Sequence, residues 1–167
     1  MRQVAATAGM SLSNLQYYFR TKNELLKGMV DFYFQKCEDE FDANMEVSEN
    51  DDIRQRVYKL ITIHIVHDET PTEICKIFRE FWAIATRNDE IKDHLVSYYR
   101  SYAKRLSDEI EPLSFNPDVI PQVISLWIPY FEGYSITAES VPLGASEVAN
   151  MLTDLTIAIL EGPFCKV

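Results

Sequence analysis

Six side chains between positions 13 and 22 carry groups suited to reading and gripping a nucleic acid: Ser13, Asn14, Gln16, Tyr17, Tyr18 and Lys22. An asparagine or glutamine amide can bond adenine N6 and N7 together, and a serine hydroxyl suits several bases. Tyrosine hydroxyls and a lysine ammonium suit phosphate oxygens, which fix position without reading sequence. Other chemistry in the chain is sparse. His64 and His67 stand i, i+3, but no third or fourth ligand has zinc-like spacing, because Asp68 is adjacent and Cys75 belongs to another helix. His94 is isolated in sequence. There is no glycine-rich phosphate loop, no GxSxG and no metalloprotease histidine pair. The sequence thus points to no metal, no cofactor and no catalytic constellation.

The elements that must position the six polar groups are short helices. An alanine-rich helix over Val4 to Ala8 stops at Gly9, the residue that most easily takes a positive φ. Ser11 then caps a second helix, with Asn14 at its third position. Two helices joined by such a turn form a helix-turn-helix, whose second helix enters the DNA major groove. Thr21 and Glu24 form a capping box that opens a long helix over 22–44, striped by Leu26, Met29/Val30, Tyr33, Cys37 and Phe41.

Helical periodicity continues to the end of the chain. An acidic stretch over 48–52 leads into a helix over 52–67 that buries Ile53, Val57, Leu60/Ile61 and His64/Ile65. Thr70-Pro71-Thr72-Glu73 opens another helix with proline at its first position. Asn88 starts a third, ending near Glu111. The helix over 117–138 is apolar on nearly all sides, with Pro129 expected to bend it. A last helix covers 145–161. The reading is all-α: an incomplete helix-turn-helix head and connecting helix over 1–44, then a helical-bundle ligand-binding and dimerisation domain over 45–167.

The net charge of −10 divides unevenly: residues 1–36 carry +3 and the remainder −13. Such asymmetry suits one end to a polyanion while the acidic body stays off it. No stretch approaches the ~18 apolar residues that span a bilayer, and no basic-then-apolar leader is present. Cys37, Cys75 and Cys165 are odd in number and widely spaced, as expected of thiols in a reducing compartment. A cytoplasmic protein without membrane partners is expected.

Val4-Ala5-x-x-Ala8-Gly9-Met10-Ser11, followed by Asn14-Leu15-Gln16-Tyr17-Tyr18-Phe19-x-Thr21-Lys22-x-x-Leu25-Leu26, resembles the DNA-binding signature of TetR-type (TetR/AcrR) transcriptional regulators. The likeness is dense over residues 2–26, and its Tyr-Phe-x-x-Lys ending is more specific than a generic helix-turn-helix. It implies that Tyr17 and Lys22 touch the DNA backbone. It also implies that a small effector binds in the body and alters the spacing of two heads. The family normally carries a further helix and a basic arm before the position of Arg2. The expectation is therefore a head truncated at its N-terminus, in which Val4, Ala5, Ala8, Leu15 and Phe19 lack a packing surface and fray.

Aromatic side chains from three helices could line an effector site: Phe78, Phe81, Trp82, Tyr98, Tyr102, Trp127, Phe131 and Tyr134. Their faces can hold a cation, with Glu80 or Glu132 as counter-charge. The last two helices offer more apolar surface than one bundle buries. Ile124, Ile128, Val148, Met151, Leu152, Leu155 and Ile159 are thus expected at a homodimer interface that spaces two recognition helices roughly 34–36 Å apart on palindromic operator DNA. The function expected is a ligand-responsive transcriptional regulator, acting as a repressor and not as an enzyme. Two alternatives stand beside it. One is a dimeric helical ligand- or partner-binding protein that lost DNA binding with its first helix, and the other is a small-molecule enzyme in an all-α scaffold.

Overall fold

The computed structural model describes residues 1–45, 51–65 and 73–162. The acidic stretch over 48–50, His67, Asp68, the Thr70–Thr72 start signal and Cys165 lie outside the described residues. Among the described residues eight α-helices follow one another: α1 (Arg2–Thr7), α2 (Leu12–Tyr18), α3 (Lys22–Asn44), α4 (Ile53–Ile65), α5 (Glu73–Ala85), α6 (Asp89–Ile110), α7 (Ile120–Thr137) and α8 (Ala145–Glu161). Three single 3₁₀ turns (Glu111–Leu113, Pro117–Val119, Ala138–Ser140) flank α6 and α7, and no strand occurs among the described residues. The chain is all-α.

Each early boundary follows from local chemistry. Gly9 has φ +67°, which lets the amide of Met10 reach the carbonyl of Ala5 at 3.0 Å and close α1. The Ser11 hydroxyl accepts the Asn14 amide at 3.1 Å and starts α2. At α3 the Thr21 hydroxyl accepts the Glu24 amide at 3.0 Å. Glu24 reaches back to the Arg20 amide at 2.7 Å, one residue before the cap itself. The helix expected over 117–138 is a 3₁₀ turn capped by Asn116 that runs into α7, because Pro117 tightens its first turn.

Three apolar clusters hold the helices. The largest joins Val57, Leu60, Ile61 and Ile65 of α4 to Leu106, Val123, Trp127, Phe131, Val148 and Leu152 of α6, α7 and α8. Trp127 is fully buried at its centre, and its indole N–H donates to the Thr156 hydroxyl at 2.8 Å. A second cluster binds α3 to α5 and α6 through Val30, Phe34, Phe81, Ile91 and Leu95. The third is small: Ala5, Leu15 and Leu25, with Met1 and Phe19 against them. Phe19 lies over Gly28 of α3, where a Cβ would stand 2.8 Å from its ring carbon Cε1.

Some expectations on burial change. Val4 and Ala8 are exposed, so the head core uses one face of α1 alone, through Ala5. Ile53, the first residue of α4, is exposed, while its neighbour Arg54 reaches Asp154 of α8. His94 is not isolated in space: its Nε2 lies 2.6 Å from Asp31 Oδ1 on α3. His64 sits among rings, facing Phe41 and Phe131, and no His/Cys/Asp/Glu cluster among the described residues has the makings of a metal site. No helix among them is long and apolar enough to cross a membrane.

Candidate functional site

Leu15 is the anchor of α2. It is buried against Ala5 and Leu25, and this orients the helix so that Ser13, Asn14, Gln16, Tyr17 and Tyr18 all remain exposed. Tyr17 is 80% and Tyr18 67% exposed, so neither ring is spent on packing in the body. The two meet edge-to-face at 5.2 Å. Lys22 is exposed at the first position of α3, where the helix dipole favours an anion. All six residues singled out in the sequence therefore present their polar groups to solvent. Ser11 spends its hydroxyl on the α2 cap and on a 3.0 Å contact with Ser13 Oγ, which holds the start of the reading helix.

Polar contacts pin α3 to α6. Glu90 accepts from Asn23 Nδ2 and pairs with Lys27 Nζ, both at 2.6 Å. The Lys27 hydrogen bond is the main reason its carboxyl lies below the ordinary range, and Asn23 adds to it. Asn88, which caps α6, donates to Asn23 Oδ1 at 2.9 Å. His94–Asp31 and Arg105–Asp42 continue the seam, with the Arg105 guanidinium 4.5 Å from the Phe41 ring centre. The helix that carries Lys22 is thereby fastened along its length to the body.

The body contains an open cleft of about 490 Å³ between α5, α6 and α7, lined by Arg79, Trp82, Tyr99, Ile128, Glu132 and Ile136. Tyr99 donates its hydroxyl to Glu132 Oε1 at 2.7 Å, and the Trp82 indole N–H lies 3.3 Å from the Tyr99 oxygen. Arg79 donates through Nη2 to the carbonyl of Ser135 in the last turn of α7, while its Nε is buried without a hydrogen-bond partner among the described residues. Burial pushes the Glu132 carboxyl above its usual range, outweighing the Tyr99 hydrogen bond and the Arg79 charge that pull it down. Burial and the neighbouring Glu132 raise the Tyr99 phenol, which keeps it a donor.

Of the eight aromatic residues expected to line an effector site, Trp82 alone lines this cleft, and it is 37% exposed at the rim. Phe81, Trp127, Phe131 and Tyr134 are core. Phe78, Tyr98 and Tyr102 are half-buried, Tyr98 stacking on Phe34 and on Tyr102. Glu132 lines the cleft and Glu80 does not. Arg79, Tyr99 and Ile136 were not singled out from sequence as lining residues. A signal for this wall existed, because Ile128, Glu132 and Ile136 recur at i, i+4, i+8 on α7.

The residues expected at a homodimer interface also separate. Ile124, Val148, Leu152 and Ile159 are buried within the chain's own largest core, and Ile128 turns to the cleft. Met151 and Leu155, one helical turn apart, remain 38% and 39% exposed on the outer face of α8. The difference has a simple cause: α4 packs along α8 and covers part of the apolar stripe that was expected at the dimer interface.

Comparison with known proteins bears on identity. No family model matches the chain. Over 161 residues, 96% of its length, the chain is 40% identical to an uncharacterised HTH-type transcriptional regulator from the dhlA 5′ region of Xanthobacter autotrophicus, and covers 80% of that protein. It is 29% identical over 106 residues to the HTH-type transcriptional regulator BetI of Rhizobium meliloti (strain 1021), covering 64% of this chain and 51% of the relative. A transcriptional regulator from Rhodococcus sp. Rha1 shares the fold at a TM-score of 0.69 and 19% identity, over 95% of this chain and 83% of that one. The Xanthobacter likeness spans the head and the body together. The chain belongs to the HTH-type transcriptional regulators.

Proposed function

We propose that this protein is a TetR-type repressor that binds palindromic operator DNA as a homodimer and is released by a small-molecule effector. The observation that carries the reading is the head. One buried leucine holds α2 so that Ser13, Asn14, Gln16, Tyr17 and Tyr18 face outward together, with Lys22 beside them at a helix N-terminus. Gln16 and Asn14 read base edges, Ser13 assists, and Tyr17, Tyr18 and Lys22 hold phosphates. In this reading residues 1–44 form the head and its connecting helix, and 45–167 form the sensing and dimerising body.

The effector enters the cleft between α5, α6 and α7. Helix α6 carries Tyr99 in that cleft and Asn88, Glu90 and His94 against α3. A ligand that moves α6 therefore moves the helix bearing Lys22. Met151 and Leu155 supply the outward apolar pair of the dimer contact on α8.

An operator selected from a random duplex library provides the test. Gln16→Ala changes which base pairs are preferred. Lys22→Ala weakens matched and scrambled duplexes alike and lowers the salt slope by about 0.9. Identical behaviour of the two variants overturns the assignment of base-reading and phosphate-holding roles.

A further inference from the structure

We propose that the cleft between α5, α6 and α7 selects an organic monocation with an apolar body, the positive charge resting on Glu132 beside Trp82. This rests on the effector-cleft reading above and names its ligand class. Glu132 is the one charged residue in the sequence of α7, and it faces the cleft rather than solvent. Its Oε1 accepts from Tyr99 at 2.7 Å, its single hydrogen bond among the described residues, which leaves Oε2 for an incoming donor or cation. The cleft's other charge, Arg79, is anchored at Nη2 on the Ser135 carbonyl and keeps its positive charge. Its pull on Glu132 is already included in a carboxyl that burial still holds above its usual range.

A desolvated carboxylate short of positive charge gains more from a cation than a solvated one does, because the local dielectric is low. Trp82, exposed at the rim, adds a ring that attracts a cation through its quadrupole. Ile128 and Ile136 offer hydrocarbon to the remainder of the ligand. A strongly hydrated inorganic cation leaves these aliphatic walls unused, and a neutral ligand adds no charge to what Arg79 and Tyr99 already give Glu132. An organic cation satisfies both. The volume of about 490 Å³ falls within the range of small-molecule sites.

Three probes of one shape and different charge separate the possibilities: benzyltrimethylammonium, benzyl alcohol and phenylacetate. Each is titrated into the full chain while Trp fluorescence and melting temperature are followed. Trp82 at the rim responds, whereas Trp127 in the core does not. Benzyltrimethylammonium is expected to bind at least about tenfold more tightly than benzyl alcohol, with phenylacetate weakest. Glu132→Gln keeps an acceptor for Tyr99. It is expected to abolish the advantage of the cation while changing benzyl alcohol affinity by less than about twofold.

Equal binding of cation and alcohol by the wild type overturns the proposal. So does tightest binding of phenylacetate, which would make Arg79, through its unpartnered Nε, the recognising charge. In either case loss of binding in Trp82→Ala leaves the cleft standing as an effector site. If no probe at millimolar concentration alters fluorescence or melting, the cleft reading and the cation proposal fall together.

Discussion

Gly28→Ala should raise the stability of the protein and loosen its DNA-reading head at the same time. Alanine in place of glycine inside a helix is worth about 1 kcal/mol to that helix, and Gly28 lies well inside α3. Alone, that predicts a higher melting temperature by about 2–4 °C for a chain of this size. The added Cβ, however, would stand 2.8 Å from Phe19 Cε1 and 3.4 Å from Cζ. Phe19 must shift, and with it the packing on Ala5, Leu15 and Leu25. Overpacking of this kind costs about 1–3 kcal/mol.

The two effects fall on different equilibria. Helix α3 is pinned to α6 by Glu90, Asn23 and Asp31 whether or not the head is docked. The propensity gain therefore enters global unfolding, while the clash enters head docking alone. The head core contains three buried side chains, two of them leucines at about 1.5–3 kcal/mol each before entropy is subtracted. A penalty of about 1–3 kcal/mol is a large fraction of that total. Amide exchange through local opening of α2 should accelerate by about 5- to 150-fold over Asn14 to Tyr18, with α4 and α8 amides unchanged or slower. Operator affinity falls by no more than the same factor. Phe19→Leu, which replaces the ring with a shorter aliphatic side chain, should restore α2 protection in the Gly28→Ala background. If α2 exchanges at the wild-type rate while melting temperature rises, Phe19 does not rest on Gly28 and the head is held by something else.

Other consequences can be checked separately. Thr156→Val removes the acceptor of the Trp127 indole and strands a fully buried N–H, so melting should fall by several degrees, about 1–3 kcal/mol. Glu132→Gln should raise the melting temperature at pH 8, because a carboxyl raised by burial stabilises the fold only while protonated. Its contribution is present below its ordinary value of 4.5 and is lost as pH rises through the raised one. The gap between variant and wild type should close near pH 4, and a gap independent of pH would refute the burial argument. Met151→Asp with Leu155→Asp should convert a dimer to a monomer in sedimentation at micromolar concentration without altering the circular dichroism of the bundle. A wild type that sediments as a monomer removes the dimer from the proposed function.

The helices were legible because their signals are local. Gly9, the Ser11 and Thr21 caps, Asn88 and Asn116 each act within four residues, and each stands at an element boundary in the structure. Exposure of the six polar residues on the head was legible for the same reason, since Leu15 alone fixes the face that α2 buries. What the sequence could not supply was the partner of each apolar stripe. Val148, Leu152 and Ile159 read as surplus only while α4 had no assigned neighbour, and α4 takes most of that surface. The aromatic residues separate for a related reason: ring size alone does not distinguish Trp127, sealed at the centre of the core, from Trp82 at a rim. The contrast that does is polarity within an apolar helix. Glu132 is the one position in α7 where burial sets a charge against its surroundings, and chemistry that recognises a ligand gathers at such a position.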